Sequence, residues 1–256
     1  MKFCVLGSGS RGNCTYVETE KSAILIDAGF SGKEIARRLA VINRFPARLR
    51  AIVVTHEHND HIAGVGVLSR RFHLPVYANI GTFRAAEKKL GKVCEFREFS
   101  IGVTFPFDDF AIHPFAVSHD TADPVGFVVR SEGRSLGYCT DTGRITKLME
   151  YHLGGCHGLI LEANYDPQML QDGPYPLPLK QRVRSNMGHL ANGDAACFVR
   201  SLVKGPLQSL VLAHLSETNN HPDLAIQAVL QACDRGRCCL EPVSAGQDGP
   251  SPLITL

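Results

Sequence analysis

The sequence predicts an α/β fold, a four-layer αββα sandwich, and three observations carry that expectation. Two β-rich stretches, each followed by helical segments, take up most of the chain, which suggests two packed sheets with helices outside. No repeat, low-complexity tract or Pro/Ser-rich linker divides them, so residues 1–256 read as one domain. The composition, 44% hydrophobic with 27 basic residues against 25 acidic ones, supports a large core and excludes disorder.

The elements follow in order. Phe3–Leu6, Thr15–Glu18 and Ala23–Asp27 are short apolar or β-branched runs separated by turn residues. Ser31-Gly-Lys-Glu34 is a capping box ahead of Ile35, Leu39 and Ile42 at helical spacing, which predicts a helix over 32–43. Ala51–Thr55 is an apolar strand, 61–72 a helix, Val76–Ala78 a strand and 80–90 a helix. Strand-like segments then follow at Val93–Phe96, Ser100–Phe107, Ala111–Val117, Val125–Arg130 and Ser135–Cys139. Helices are expected at Arg144–Tyr151 and Pro178–Ser185, after Asn192 as a cap, and at Pro222–Cys233. Strands are expected at Gly158–Leu161 and Leu207–Ala213. The tail around Gly246-Gln-Asp-Gly-Pro250 carries no readable signal.

The nine cysteines are scattered, with Cys238 and Cys239 adjacent and no Cys-x-x-Cys pair, as expected of reduced thiols in a cytoplasmic protein. No apolar run approaches the ~20 residues of a membrane span, and the start of the chain offers no signal-peptide core. A net charge of +2 does not by itself diagnose a nucleic-acid partner. Gly7-Ser-Gly-Ser-Arg-Gly12 matches a dinucleotide fingerprint literally. A strand-like run follows it where that fingerprint needs a helix, so a tight turn is the better reading.

The strongest signal is Thr55-His56-Glu57-His58-Asn59-Asp60-His61 at the end of an apolar strand. In extended backbone His56 and His58 point to one side and can share a metal. A turn into a helix would swing Asp60 and His61 toward a second point. Further candidates recur at the ends of apolar strands: Asp27 after Ile24-Leu-Ile, His119, Asp141 and His214.

Taken in order, Asp27, His56-x-His58-x-Asp60-His61, His119, Asp141 and His214 resemble the five motifs of the metallo-β-lactamase superfamily, across nearly the whole chain. The resemblance implies that His56, His58 and His119 hold one metal and that Asp60, His61 and His214 hold another, with Asp141 bridging. Asp27 would be an acceptor that orients ligand histidines. Direction along the strand does not exclude Cys139 as a ligand in place of Asp141, but the ordered motif favours Asp141. Imidazole and carboxylate ligands suit two divalent ions, Zn²⁺ or Mn²⁺, with Fe²⁺ also compatible. Two cations that share a water can lower its pKa and make it a nucleophile, with Asp60 beside it to orient it or accept its proton.

Gly7-Ser-Gly-Ser-Arg-Gly-Asn-Cys14, Ser118-His-Asp120, Asp123-Pro-Val-Gly126, Thr140-Asp-Thr-Gly143, Gly188-His-Leu190 and His214-Leu-Ser-Glu-Thr-Asn-Asn220 resemble the YycJ/WalJ group of small metal-dependent hydrolases. That resemblance implies 5′-to-3′ exonuclease action on DNA and a link to DNA repair. Tyr165 departs from the group pattern, which has histidine there. The residues add Lys180, Arg182, Arg184, Arg200 and Lys204 as a strip that could track a phosphate backbone. His189 is a candidate to contact the scissile phosphate or protonate the leaving oxygen, and Arg11 and Asn13 are weaker substrate contacts. Two other readings compete: a hydrolase of a small thioester, lactone or cyclic phosphodiester, and a nucleic-acid-binding module with purely structural metals.

Overall fold

The computed structural model describes residues 1–233 and 240–256, so Cys238 and Cys239 lie outside the described residues. The first half of the chain runs β1 (Lys2–Gly7), β2 (Cys14–Glu18), β3 (Ala23–Ile26), α1 (Gly32–Val41), β4 (Ala51–Val53), α2 (Asn59–Ile62), α3 (Val65–Phe72), β5 (Pro75–Ala78), α4 (Ile80–Leu90) and β6 (Glu95–Glu98). The second half runs β7 (Phe105–Phe107), β8 (Phe110–Ala116), β9 (Val125–Ser131), β10 (Arg134–Cys139), α5 (Lys147–Leu153), β11 (Gly158–Glu162), α6 (Pro167–Asp172), α7 (Leu177–Arg184), α8 (Asn192–Leu202), β12 (Ser209–Ala213), α9 (Pro222–Ala232), β13 (Val243–Ser244) and β14 (Ile254–Thr255).

Two seven-stranded sheets result, ordered β14-β1-β2-β3-β4-β5-β6 and β13-β12-β11-β10-β9-β8-β7. Each begins antiparallel, where short turns suffice, and continues parallel from β3 or β10, where helices make the crossovers.

Side-chain alternation assigns the layers. Phe3, Val5, Ile24 and Ile26 face Phe127, Tyr138, Ile160 and Val211 between the sheets. Their neighbours Cys4, Leu6 and Leu25 turn outward onto Ile35 and Leu39 of α1, Leu68 of α3 and Leu90 of α4. On the far side Leu159, Leu161, Leu210 and Leu212 pack against Met149 of α5, Phe198 of α8 and Val229 of α9. Strands buried on both faces read as continuous apolar runs, as these do. The expected αββα sandwich is what the chain forms.

Several boundaries differ from expectation, each for a local reason. The helix expected over 61–72 is two helices, because the Gly64 N–H leaves the helical ladder and bonds to the Ala28 carbonyl at 2.7 Å. Only Phe105–Phe107 of the Ser100–Phe107 segment is strand, since Gly102 takes a φ of 81° in a turn. Ala191, not Asn192, is the cap of α8: the Asn192 amide pairs reciprocally with Asn220 at 2.8 and 2.9 Å. The tail does form structure. Gln247 accepts from the Arg11 N–H and donates to the Gly12 carbonyl, fastening the glycine-rich turn.

Candidate metal centre

The carboxyl ends of the parallel strands converge on one cleft, where open α/β sheets place ligands. β3 delivers Asp27, the chain after β4 delivers Thr55 to His61, β10 delivers Asp141, and β12 delivers His214; His119 follows β8. Three of these leave their strands in left-handed backbone: Asp27 at φ 60°, Asp141 at φ 56° and His214 at φ 54°.

Donor atoms gather in overlapping groups, within each of which all lie within 4.8 Å of one another: His56, His58, His119; His56, His61, Asp141; Asp60, His61, His214; and Asp141, Glu162, His189, His214. Asp141 stands between the two expected sets, with Oδ1 3.8 Å from His119 Nε2 of the first and, toward the second, Oδ2 3.3 Å from His61 Nε2 and Oδ1 3.3 Å from His214 Nδ1. Cys139 is instead packed in the apolar layer under α5 and α8, and burial pushes its thiol well up.

Hydrogen bonds fix which nitrogen of each ring is free. Asp27 Oδ2 takes the His61 Nδ1 proton at 2.8 Å and the Thr55 hydroxyl at 2.8 Å. The Thr55 oxygen in turn accepts from His56 Nδ1 at 3.0 Å. The Gly188 carbonyl accepts from His119 Nδ1 at 3.1 Å. Each such contact turns the other nitrogen, Nε2, toward the cleft as a lone-pair donor. His119 Nε2 then faces His58 Nδ1 at 3.3 Å. His58 Nδ1 can donate its proton to that lone pair, or both nitrogens can turn lone pairs to one cation.

Glu162, at the end of β11, was not singled out from the sequence. It is fully buried and accepts four bonds. Oε1 takes His189 Nδ1 and His214 Nδ1, both at 2.8 Å, and Oε2 takes the Thr142 and Leu190 backbone N–H groups at 3.0 and 2.9 Å. Burial opposes its ionisation, but the two imidazoles and their hydrogen bonds hold Glu162 down to about 2. It follows Leu159-Ile-Leu in the same strand-end position as Asp141 and His214, so the signal was in the sequence.

The residues present fit two divalent cations. His56 Nε2, His214 Nε2 and Asp141 Oδ2 are buried without a hydrogen-bond partner. Four carboxylates, Asp27, Asp60, Asp141 and Glu162, converge here, a charge that two divalent cations would neutralise. Without cations the site has to hold protons instead. Burial disfavours charge on His61, yet Asp141 and Asp27 push it up to about 10. The donor set, imidazole nitrogen and carboxylate oxygen with no thiolate, suits Zn²⁺, Mn²⁺ or Fe²⁺.

Asn13 is buried inside this cluster, its Nδ2 3.0 Å from His61 Nε2 and 3.2 Å from Asp60 Oδ2, so it braces the site from within. Its Oδ1 accepts from Ser8 Oγ and Gly9 N, and Ser8 Oγ accepts from His214 N, tying the glycine-rich turn to the last histidine. A Cβ at Gly29 would lie 1.6 Å from the Asp60 carbonyl oxygen, so only glycine admits this closeness. Arg11 turns away, pairing with Glu217 at 2.6 Å and Asp248 at 2.9 Å on the surface.

Of the basic residues on α7, Arg182 alone lines the cavity beside His189 and His214. Lys180 and Arg184 donate to the Gln171 and Pro167 carbonyls of α6 instead, so α7 does not present one basic face to the cleft. Tyr165 sits among Leu170, Val183 and Ala191, in the floor under α6 and α7.

The fold and this cluster define a class, and comparison with known proteins agrees. The family model described as the beta-lactamase superfamily domain matches residues 22–215, and the chain belongs to the metallo-β-lactamase superfamily of hydrolases. The chain is similar to the exodeoxyribonuclease WalJ of Streptococcus pneumoniae, 42% identical over 228 residues that cover 88% of this chain and 85% of that protein. It is also similar to the exodeoxyribonuclease YycJ of Bacillus anthracis, 38% identical over 236 residues that cover 91% and 89%. The metallo-beta-lactamase fold protein YhfI from Bacillus subtilis shares the fold at a TM-score of 0.73 and 15% identity, covering 98% of this chain and 99% of that one.

Proposed function

We propose that the chain is a dinuclear-metal phosphodiesterase that removes nucleotides from the 5′ end of DNA in the cytoplasm and serves DNA repair. The observation that carries this reading is the convergence of the metal-ligand set at one point, with its His214 opening onto a cavity that also holds Arg182 and His189. The two exodeoxyribonuclease relatives, matched over most of their length, support a nucleic-acid substrate. His56, His58 and His119 would hold one cation, Asp60, His61 and His214 the other, and Asp141 both. Bound there, Zn²⁺ or Mn²⁺ would supply Lewis acidity and an acidified water.

The chain's own residues do the rest. Asp60 Oδ2 lies 3.6 Å from His61 Nε2 and 3.7 Å from His214 Nε2, and its partly exposed carboxylate can orient the attacking water or accept its proton. Glu162 fixes the His189 ring through Nδ1, leaving Nε2 to protonate the leaving oxygen at the cavity. Arg182, anchored by Asp120 at 2.6 Å, keeps its terminal amino groups for phosphate. The cavity is lined by Asp120, Arg182, His189 and His214 as well as by Leu179 and Val183, a charged lining that argues against an apolar pocket for a thioester or lactone. His58, Asp60 and His189 are partly exposed, unlike the closed ligand shell of a purely structural metal.

The test uses 5′-labelled single- and double-stranded DNA with protein loaded with Mn²⁺ or Zn²⁺, beside Asp60→Ala. Metal-dependent release of labelled mononucleotide, lost in the variant, is expected. No cleavage by metal-loaded protein would turn the reading to a small-molecule hydrolase.

A further inference from the structure

The cavity beside the metal centre has a wall that metal chemistry does not require. Leu179, Arg182 and Val183 lie at i, i+3 and i+4 on α7 and share one face, and all three line the cavity with Tyr175. Tyr175 stands between Pro174 and Pro176, and the residue before a proline is confined to extended backbone, so its ring is presented in a restricted direction. Tyr175 and Leu179 are only partly buried and pack on Val183 in a small apolar cluster, separate from the three interlayer cores. A half-buried aromatic ring and an aliphatic shelf, next to a guanidinium with open amino groups, match the chemistry of a single nucleotide: a flat base and a phosphate. The larger hollow of about 560 Å³, among Met1, Glu18, Arg44 and Phe45, lies at the other end of β1 and β2 from the ligands, and its Arg44 and Arg48 are paired with Glu18.

We infer that this cavity seats the terminal nucleoside of the strand being cut, its base against Tyr175 and Leu179. The inference rests on the proposed reading for the identity of the reaction. In that reaction water oxygen bonds to phosphorus as the P–O3′ bond breaks, and O3′ takes a proton from His189 Nε2. The leaving oxygen belongs to the terminal nucleotide, and His189 lines the cavity, so the departing nucleotide is the one seated there.

The experiment is isothermal titration of the Mn²⁺-loaded protein with deoxyadenosine 5′-monophosphate and, separately, with deoxyribose 5-phosphate, which lacks the base. The nucleotide should bind about tenfold more tightly, as one base–aromatic contact implies. Tyr175→Ala should shrink that ratio to about twofold or less, Tyr175→Phe should keep it, and Tyr175→Ala should raise the KM for single-stranded DNA. Equal binding of the two probes by the wild-type protein, or an unchanged ratio in Tyr175→Ala, would overturn the seat. Base-dependent binding without DNA cleavage would uphold the seat and defeat the nuclease reading. DNA cleavage without base-dependent binding would do the reverse.

Discussion

Glu162→Gln isolates what one buried carboxylate does for the whole centre. The substitution changes no volume, but it replaces one acceptor oxygen with an amino group. If that group faces the Thr142 and Leu190 N–H groups, donors meet and both buried N–H groups lose their acceptor, at a cost of about 1–3 kcal/mol each. If it faces the histidines, it offers protons to two Nδ1 atoms now 2.8 Å from the carboxylate. Both rings must then move their proton to Nε2, and His214 loses the Nε2 lone pair that would bind a cation. Substitutions of groups that orient metal-binding imidazoles weaken metal affinity by about 10–100-fold, or roughly 1.4–2.7 kcal/mol. The expected result is affinity reduced within that range by chelator competition, with a metal-free Tm lower by about 2–10 °C. Where the amino group faces the rings, imidazole ¹⁵N shifts should also show the His214 tautomer reversed. A Glu162→Gln protein that binds two metals with wild-type affinity and keeps its histidine tautomers would refute this account.

Three further outcomes follow from the same contacts. His189→Ala should lower kcat by about 10²-fold or more with metal content unchanged by mass spectrometry; unaltered kinetics would remove His189 from the chemistry. Arg182→Ala should weaken DNA binding and reduce the slope of log K against log salt by about one, and an unchanged slope would mean that Arg182 meets no phosphate. Glu18→Gln probes the fold away from the site. Burial of Glu18 favours its neutral form, yet Arg44, the Tyr16 hydroxyl and Arg48 hold it below its usual 4.5. Because the folded form binds its proton less readily, its contribution is present above about pH 4.5 and lost as pH falls through the lowered value. Glu18→Gln should therefore cost about 1–3 kcal/mol at neutral pH, a gap that closes in acid, without touching metal content. A gap independent of pH would contradict the ionised pair.

What could be read from the sequence depended on how each contact is encoded. His56, His58, Asp60 and His61 are legible because one strand end and one helical turn carry all four within six residues. The sandwich is legible because apolar residues on strands such as Leu159–Leu161 face two different cores in alternation. Thr55 orients His56 from the adjacent position, but a threonine at a strand end is ordinary, and only the Asp27 contact reveals its role. The Gln247 clasp on the Gly7–Gly12 turn joins residues more than 230 apart, so no local pattern announces it. Arg11, Lys180 and Arg184 show the opposite failure. Charge counted along the chain says nothing of direction, and nearby carbonyls and acids had already taken these side chains.

The left-handed residues explain how a sandwich of straight strands becomes a cleft. A strand that simply continued past Ile26 or Ala213 would carry its next side chain up or down the pleat, toward a helix layer or the inter-sheet core. A φ near +55° at Asp27, Asp141 and His214 breaks that alternation and lets each side chain point along the strand axis, over the open end of the sheets. For residues with a Cβ this conformation costs roughly 1–2 kcal/mol, least for aspartate, so it persists only where surrounding contacts impose it. Here they do: the Asp27 N–H still bonds to Val53 in the neighbouring strand, and the His214 N–H is held by Ser8 Oγ. Hence the glycine-rich turn, Asn13 and the tail matter to a centre they do not themselves ligate. They stabilise the strained backbone that brings Asp27 from the first sheet and Asp141 and His214 from the second to the same point, and loosening Ser8 or Gln247 should cost metal affinity before it costs the fold.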